Sequence, residues 1–189
     1  MENKKIKTLF FKTYYSLIDE KLKIVSEDKL MSAIKLLKTI TKKNKIILIG
    51  NGGSAAIASH LSVDFTKVAN IRSINFNEAD LLTCFANDYG YEKAFQKAIE
   101  FYSEKGDIVI AISSSGKSKN IINAVKYAKK IKLKTITFTG FEKDNPLKKL
   151  GNINFWIDSK AYNIVEIVHQ TLLLSIVDYL VGNIYYKSS

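Results

Sequence analysis

Short apolar runs that alternate with longer helical patterns constrain the fold of this 189-residue chain more than any other feature. Five runs have the length and composition of strands, at residues 46–49, 71–74, 108–112, 135–138 and 153–157. Segments with helical spacing separate them, at residues 55–68, 79–86, 91–102 and 118–131. Strands that are apolar on both faces and alternate with helices are typical of a parallel sheet covered on each side. The pattern therefore predicts a three-layer α/β/α sandwich around a five-stranded parallel sheet.

Further helical patterns flank this core, at residues 4–22, 27–42 and 162–183. Ser26 is the predicted N-cap of the second of them, with Glu27 and Asp28 in its first turn. The last pattern is apolar around its whole circumference, so that helix should be buried on most sides. Because a domain of this size has little room for such a helix inside, we expect it to pack between the subunits of a homo-oligomer.

The composition gives no sign of a second domain or of an export signal. The chain contains one proline, Pro146, and no low-complexity segment, so a single domain is expected. Its predicted parts are the leading helices (1–44), the sheet core (45–160) and the C-terminal helix (161–189). Cys84 is the only cysteine, which excludes an internal disulfide and fits a reducing compartment. Charges interrupt the apolar residues of the amino terminus, and no stretch is expected to reach the length of a membrane span, so a cytoplasmic location is predicted.

The chain carries a formal net charge of +11, a value that is also typical of nucleic-acid-binding proteins. Of its 29 basic residues 28 are lysines, because Arg72 is the only arginine. Lysine lacks the planar fork that reads guanine or clamps phosphates, and these lysines are spread over almost every predicted helix. This distribution favours a solvated surface that speeds the encounter with an anionic substrate, and it disfavours a nucleic-acid interface.

Two loops that follow predicted strands have the composition of phosphate-binding turns. The sequence GNGGS at 50–54 follows the first strand, and SSSGKS at 113–118 follows the third. Glycines let the backbone approach a ligand closely, and the free N–H groups of a starting helix attract anions. In open α/β sheets ligands bind at the carboxyl ends of the strands, where both loops would lie. Although serine and glycine also cap ordinary helices, two such loops on one edge favour a phosphate site.

Both loops also share part of their sequence with nucleotide-binding motifs. GNGGSA at 50–55 resembles the dinucleotide fingerprint, but no carboxylate stands at the end of the second predicted strand. GKS at 116–118 resembles the end of a P-loop, but Ala111 occupies the place of its first glycine. We therefore expect no nucleotide cofactor.

Three segments together resemble the motifs of the sugar isomerase (SIS) domain family: GNGGSA at 50–55, NDYGYE at 87–92 and SSSGKS at 113–118. Their order and spacing are similar to those of the phosphoheptose isomerases in that family, which convert sedoheptulose 7-phosphate to an aldoheptose 7-phosphate. The resemblance covers nearly the whole chain. It implies a flavodoxin- or Rossmann-like parallel sheet and a homotetramer with its sites between subunits.

The resemblance also implies which residues bind the substrate. Backbone amides and hydroxyls of the two loops would converge on one phosphoryl group. The sugar phosphate would then be held by the loop residues Asn51, Gly52, Gly53, Ser54, Ser113, Ser114, Ser115 and Ser118, with Asp88 nearby.

Aldose–ketose exchange moves a proton between adjacent carbons through an enediol. It needs a base over one face of the substrate and an acid or a metal ion at the carbonyl. His60 and Asp64 are four residues apart on the helix after the first loop, so they share one face. By resemblance Asp64 stands at the position of the catalytic base, usually a glutamate, and in zinc-bound relatives both residues can be ligands. The alternative is a surface pair that holds no ligand.

The closing helix departs from the family at two polar positions. An ungapped match places Val165 at a glutamine that contacts metal and substrate, and Leu173 at the catalytic histidine. His169 lies four residues from each, on the same helical face, and we expect it to supply the missing acid–base group together with Glu166. The alternative is a hydrogen-bonded core histidine. Because two of four ligand positions keep ligand-type side chains, a zinc requirement is left open.

These observations predict an intramolecular aldose–ketose isomerase. Its expected substrate is sedoheptulose 7-phosphate or a similar sugar phosphate, on the route to surface-polysaccharide precursors. The alternative is a SIS-type protein that binds a phosphosugar without catalysis and has a regulatory role. The aliphatic Val165 and Leu173 favour the alternative, whereas His60, Asp64 and His169 favour the enzyme.

Overall fold

A parallel five-stranded sheet forms the centre of the structure, a computed structural model that describes residues 2–186, with side chains from residue 9 onward. Its strands are β1 (Ile46–Ile49), β2 (Ser73–Asn75), β3 (Ile108–Ser113), β4 (Lys134–Thr139) and β5 (Ile153–Trp156). They lie in the order β2-β1-β3-β4-β5, and each neighbouring pair is parallel. The ends of the predicted first and last parts, residue 1 and residues 187–189, lie outside the described residues.

Helices cover both faces of this sheet. Within residues 2–186 they are α1 (Glu2–Lys23), α2 (Glu27–Leu37), α3 (Gly53–Lys67), α4 (Ala79–Tyr89), α5 (Ala94–Tyr102), α6 (Lys119–Lys130) and α7 (Tyr162–Val181), with a 3₁₀ turn at Tyr91–Lys93. The first three and α7 pack on one face, and α4, α5 and α6 pack on the other. The predicted three-layer α/β/α sandwich is confirmed.

Side-chain alternation along the strands builds a separate core on each face. In β1, Ile46 and Leu48 contact the core beneath α2, α3 and α7, whereas Ile47 and Ile49 contact the core beneath α5 and α6. All four side chains are fully buried. Burial on both faces explains why the strands read as continuous apolar runs and not as alternating ones.

Two element boundaries differ from the prediction because tertiary hydrogen bonds compete with the local pattern. The Ile71 N–H donates to the carbonyl of Phe65 at the end of α3, so β2 begins at Ser73 and not at residue 71. The helix predicted over 27–42 ends at Leu37, where the Thr39 hydroxyl donates to the Leu36 carbonyl. Ser26 does precede this helix, but its side chain makes no capping hydrogen bond.

The helix predicted over 91–102 is likewise interrupted. Gly90, which ends α4, has a φ of +81°, and the chain then makes the 3₁₀ turn before α5 begins at Ala94. A positive φ is natural for glycine and costly for other residues. The glycine therefore sets the boundary between α4 and the segment that follows.

The length of α7 corrects the expectation that no stretch reaches a membrane span. Its 20 residues have a mean hydropathy of 1.6 in their most apolar window, so by length and composition the helix could cross a membrane. One face of α7 is nevertheless buried in this chain, where Val165, Val168 and Leu172 pack toward α3 and the sheet. The core helix of a soluble protein passes the same test. The outer face of α7 keeps Ile167 and Tyr179 exposed.

Candidate active site

The two glycine- and serine-rich loops follow β1 and β3, the strands on either side of the point where the strand order reverses. In open parallel sheets a ligand crevice forms outside the carboxyl ends of two such strands. Both loops line one cavity of about 270 Å³ here, which we call the loop cleft. Its lining includes all the loop residues expected to bind phosphate: Asn51, Gly52, Gly53, Ser54, Ser113, Ser114, Ser115 and Ser118. The two segments therefore converge as the phosphate hypothesis requires.

The glycines of the first loop allow a tight turn and a close contact between α3 and α7. Gly52 has a φ of +54°, a conformation that residues with a Cβ rarely adopt. A Cβ on Gly50 would lie 2.5 Å from the Ser54 carbonyl oxygen, and a Cβ on Gly53 would overlap the carboxylate of Glu166. The amino terminus of α3, the positive end of the helix dipole, lies at the cleft.

The second loop turns at Gly116 and then starts α6. Gly116 has a φ of +63°, and a Cβ there would overlap the side-chain oxygen of Asn145. The Ser113 hydroxyl donates to the Ser118 hydroxyl at 3.2 Å, and Ser118 is the N-cap residue of α6. A second helix amino terminus is therefore directed at the same cleft as that of α3, and both favour an anion.

Ser114 carries a buried hydroxyl whose hydrogen bonding is incomplete. The residue lines the loop cleft, and its buried Oγ has no hydrogen-bond partner within residues 2–186. Leaving such a group unpaired costs about 1–3 kcal/mol. A phosphoryl oxygen in the cleft would supply the missing partner, so the cleft fits the predicted ligand.

A hydrogen-bonded trio that the sequence did not predict ties the two loops together. Asn51 and Asn120 exchange side-chain amide hydrogen bonds of 3.0 and 2.9 Å, and the Tyr91 hydroxyl donates to Asn51 Oδ1 at 2.9 Å. Asn120 belongs to the first turn of α6, and Tyr91 follows α4. The trio fixes the Asn51 side chain beside the cleft.

A second cavity of about 470 Å³ lies beside the loop cleft, between α3 and α7. We call it the helix cavity; His60 and Gln170 line it, and it shares Gly53 and Glu166 with the loop cleft. His60 Nε2 lies 3.3 Å from Asp64 Oδ2, and His60 Nδ1 lies 3.1 Å from Gln170 Nε2. The predicted His60–Asp64 pair is therefore formed. His60 lines the helix cavity, whereas Asp64 lies behind it and lines neither cavity.

Comparison with known proteins places the chain in a family. The model of the SIS domain family matches residues 11–140. The chain is 34% identical over 177 residues to the phosphoheptose isomerase of Thermodesulfovibrio yellowstonii, covering 90% of this chain and 82% of that protein. With the phosphoheptose isomerase of Fusobacterium nucleatum it shares 33% identity over 175 residues, covering 89% and 90%. The chain belongs to the phosphoheptose isomerase family of SIS domain proteins.

A solved structure supports the same assignment. The phosphoheptose isomerase of Neisseria gonorrhoeae superimposes with a TM-score of 0.83 and 25% identity, covering 95% of this chain and 99% of that one. The predictions of the family, of the fold and of an isomerase are confirmed.

His169, expected to supply an acid–base group, does not lie at the site. It is fully buried, its Nε2 lies 3.1 Å from the Thr139 carbonyl, and it does not line either cavity. Burial lowers the pKa of His169 to about 4, although the bond to Thr139 opposes this. The ring is enclosed by the core, with its edge against Phe138. His169 is the core histidine of the alternative, hydrogen-bonded through Nε2 alone, because Nδ1 has no partner within residues 2–186 and an enclosed ring has no path to a substrate.

Two further expected groups differ in their placement. Asp88 lies at the exposed end of α4 and lines neither cavity; its carboxylate accepts hydrogen bonds from Asn87 and, at 3.7 Å, from Cys84. Glu166 does reach the site, because its carboxylate packs against Gly53 at the boundary of both cavities. Within one chain Glu166 is therefore near the loops and Asp88 is not.

The residues present do not fit the zinc site of the family. Val165 and Leu173, which stand at the other two ligand positions, are aliphatic and buried. In the part of the chain that the structure describes, no three His, Cys, Asp or Glu side chains are grouped to hold a metal ion. Both ring nitrogens of His60 already contact protein side chains. No catalytic step is therefore derived through zinc.

Proposed function

We propose that this chain interconverts sedoheptulose 7-phosphate, or a ketose phosphate of similar length, and its aldose isomer. The convergence of both loops on one cleft, next to the helix cavity that His60 lines, carries this proposal. Membership of the phosphoheptose isomerase family supports the class of reaction, and the names of the relatives support the heptose substrate.

The loop cleft would hold the phosphoryl group. Two helix amino termini, the serine hydroxyls and the unpaired Ser114 Oγ all favour a group that accepts hydrogen bonds and carries negative charge. The net charge of +11 would add a long-range attraction for such a dianion. The carbon chain of the sugar would then extend past Gly53 and Glu166 into the helix cavity.

The reaction there would be a proton exchange through an enediol. The base removes one proton from C1 of the ketose, the C1–C2 double bond forms, and the C2 carbonyl oxygen takes up a proton. The hydroxyl on C1 then gives up its proton to become the aldehyde oxygen, and C2 receives the proton that the base held. The enzyme must therefore supply one group for the carbons and one for the oxygens.

Asp64 and Glu166 would share these two tasks. Asp64 stands at the base position of the family, and its Oδ2 lies 3.3 Å from Nε2 of His60, which lines the helix cavity. Glu166, at the boundary of the two cavities, would exchange the proton between the two oxygens. This is the acid–base task expected above of His169 together with Glu166. His169 is excluded from the task by its burial.

The active form would be a cytoplasmic homotetramer with sites between subunits. An apolar surface on α1, with Phe10, Phe11 and Tyr15 each more than half exposed, supports an oligomer. The side chain of His60 is 49% exposed in the single chain, so a neighbouring subunit could close the helix cavity and exclude water. The exposed free thiol of Cys84 is compatible with a reducing compartment.

Turnover of sedoheptulose 7-phosphate in deuterated water tests the proposal. We expect an aldose product that carries deuterium at C2, because the base exchanges its proton with solvent. Asp64→Asn should lower kcat by about 10²–10⁴-fold, the usual contribution of a positioned base. Asp144→Asn, at an exposed loop position, is the matched control and should keep full activity. Absence of both product and exchange would refute the proposal.

A phosphosugar-binding protein without catalysis is the second candidate. The burial of aliphatic Val165 and Leu173, in place of two polar groups, favours it. It predicts saturable binding of sedoheptulose 7-phosphate by calorimetry with no deuterium exchange. Binding that survives Asp64→Asn, without any turnover of the unmodified chain, would establish this candidate in place of the enzyme.

A further inference from the structure

Gln170 joins the site through a contact that neither the motifs nor the family pattern indicates. It lies on α7, four residues after Glu166, and both side chains line the helix cavity. Its amide nitrogen lies 3.1 Å from Nδ1 of His60, on the neighbouring helix α3. The other ring nitrogen of His60, Nε2, lies 3.3 Å from Asp64 Oδ2. The imidazole is thus held between an amide and a carboxylate.

We propose that Gln170 is a positioning residue that holds His60 in the neutral tautomer protonated at Nε2. An amide nitrogen can only donate, so Nδ1 must carry the lone pair and Nε2 the proton. That proton then points to the Asp64 carboxylate, which can only accept. The hydrogen bonds therefore run in one direction, from Gln170 through His60 to Asp64.

The opposite amide orientation is disfavoured by the same contacts. If the Gln170 oxygen faced His60, the neutral ring would carry its proton on Nδ1 and present the lone pair of Nε2 to Asp64. Two acceptors would then face each other at 3.3 Å. In the neutral ring Asp64 and Gln170 therefore favour the same tautomer.

The catalytic consequence of this arrangement rests on the proposed function. Because His60 engages Oδ2, Asp64 keeps Oδ1 as the oxygen that can take the substrate proton. A ring free to change tautomer would spend part of its time with no proton for Asp64, and the carboxylate would lose its orientation. Gln170 would thus compensate in part for the polar groups missing at Val165 and Leu173, both of which are buried.

Ring nitrogen resonances test the tautomer without any turnover. The chain has two histidines, so a ¹⁵N-labelled sample gives two ring systems. At pH 8.5 the His169 ring serves as a neutral reference, because burial lowers its pKa to about 4. We expect Nδ1 of His60 to resonate as an unprotonated nitrogen and Nε2 as a protonated one. A protonated Nδ1, or an average of both tautomers, in the unmodified chain would overturn the proposal.

Variants separate positioning from folding. Gln170→Leu should raise the share of the Nδ1–H tautomer, because Asp64 alone then orders the ring, and Gln170→Glu, which offers only acceptors, should place a proton on Nδ1 as well. Gln96→Leu on α5 is the matched control and should leave the His60 ring unchanged. Circular dichroism checks that each variant is folded. Unchanged His60 signals in folded Gln170→Leu would refute the role of Gln170.

Kinetics then distinguish this proposal from the proposed function. Gln170→Leu should lower kcat about tenfold with little change in KM, the size expected when an orienting partner is lost. If the unmodified chain shows the Nε2–H tautomer but never isomerises a sugar phosphate, the proposed function fails and the positioning of His60 stands. If it isomerises the sugar and Gln170→Leu is as fast, the catalytic consequence fails alone.

Discussion

Two buried polar groups beside β3 differ in their partners. Asp107 lies at the amino ends of the strands, which we call the amino edge, and Ser114 lies at their carboxyl ends, the carboxyl edge. At the amino edge Asp107 is fully buried, and its Oδ2 lies 2.8 Å from Lys45 Nζ while backbone N–H groups of Lys45 and Glu104 donate to the carboxylate. At the carboxyl edge the Ser114 hydroxyl is buried with no partner in residues 2–186. Both positions are beside the same strand, β3.

The contrast separates groups that serve the fold from groups that serve a ligand. Buried polar atoms in folded chains nearly always find partners, so an unpaired one requires an explanation. For Asp107 the partners come from the chain itself, and the ion pair joins β1 to β3. For Ser114, which lines the loop cleft, we expect the partner to come from a ligand. Substitutions at the first edge should therefore change stability, and those at the second should change binding or turnover.

The largest effect is expected at the amino edge. Asp107→Ala leaves the Lys45 ammonium and two backbone N–H groups without their acceptor, which should cost about 3–5 kcal/mol of the free energy of unfolding. Urea unfolding measures this loss, with Asp144→Ala at an exposed position as the control. The folded fraction should keep its KM for sedoheptulose 7-phosphate. A loss of stability below about 1 kcal/mol would show that the ion pair is not structural.

The next largest effect concerns His169, a polar group near the carboxyl edge that we assign to the fold. Its pKa of about 4 in the folded chain is below the ordinary 6.5 of the unfolded chain. The unfolded state therefore binds the proton first, and stability falls as the pH is lowered from 6.5 to 4, by about 1.4 kcal/mol per pH unit or about 3 kcal/mol in all. His169→Gln should remove this part of the pH dependence of urea unfolding. Parallel curves for the two proteins would contradict the assignment.

His169 also marks a limit of what the sequence could predict. The strands were predicted within two residues, because side chains buried on both faces leave continuous apolar runs. The loops were predicted because two glycine- and serine-rich turns follow strands of one parallel sheet, although either turn alone could have been an ordinary helix cap. On α7 the pattern placed His169 on an apolar face but could not distinguish a core histidine from a catalytic one.

The missed residues are those whose contacts join distant parts of the chain. Gln170 contacts His60 across 110 positions, and Tyr91 contacts Asn51 across 40. Such pairs depend on how helices pack and leave no local signal. Tyr91 belongs to the NDYGYE motif, so its position near the site could have been predicted. Nothing in the sequence around Gln170 indicated such a position.

A smaller effect is expected at Gly53, on the carboxyl edge. In Gly53→Ala the new Cβ would overlap the Glu166 carboxylate, which lies at the end of a flexible side chain and can move. Stability should therefore change by less than about 1 kcal/mol, because alanine also favours the helix. The value of kcat/KM should fall about tenfold, equivalent to about 1.4 kcal/mol, because Glu166 is displaced from the cavity boundary.

A double-mutant cycle with Glu166→Ala checks the cause of that loss. Once Glu166 is truncated, Gly53→Ala should have no further effect on kcat/KM, because there is no carboxylate to displace. Additive losses would mean that the alanine acts on the loop backbone and not through Glu166.

The smallest effect on stability is expected at Ser114, and it tests directly whether this hydroxyl serves a ligand and not the fold. Ser114→Ala removes a buried hydroxyl that has no partner in the free chain, so stability should stay the same or rise by about 1 kcal/mol. Affinity for inorganic phosphate, measured by calorimetry, should fall by about tenfold, because the hydroxyl would lose a bond to a charged acceptor. Thr137→Val is the matched control: Thr137 Oγ1 is bonded to Asn154 at 2.8 Å, so stability should fall while phosphate affinity holds. The opposite signs follow from one cause, since a hydroxyl satisfied by the chain stabilises the fold and one left unsatisfied stabilises the complex. If Ser114→Ala and Thr137→Val destabilise the free chain equally, the Ser114 hydroxyl contributes to the fold and its role in ligand binding is refuted.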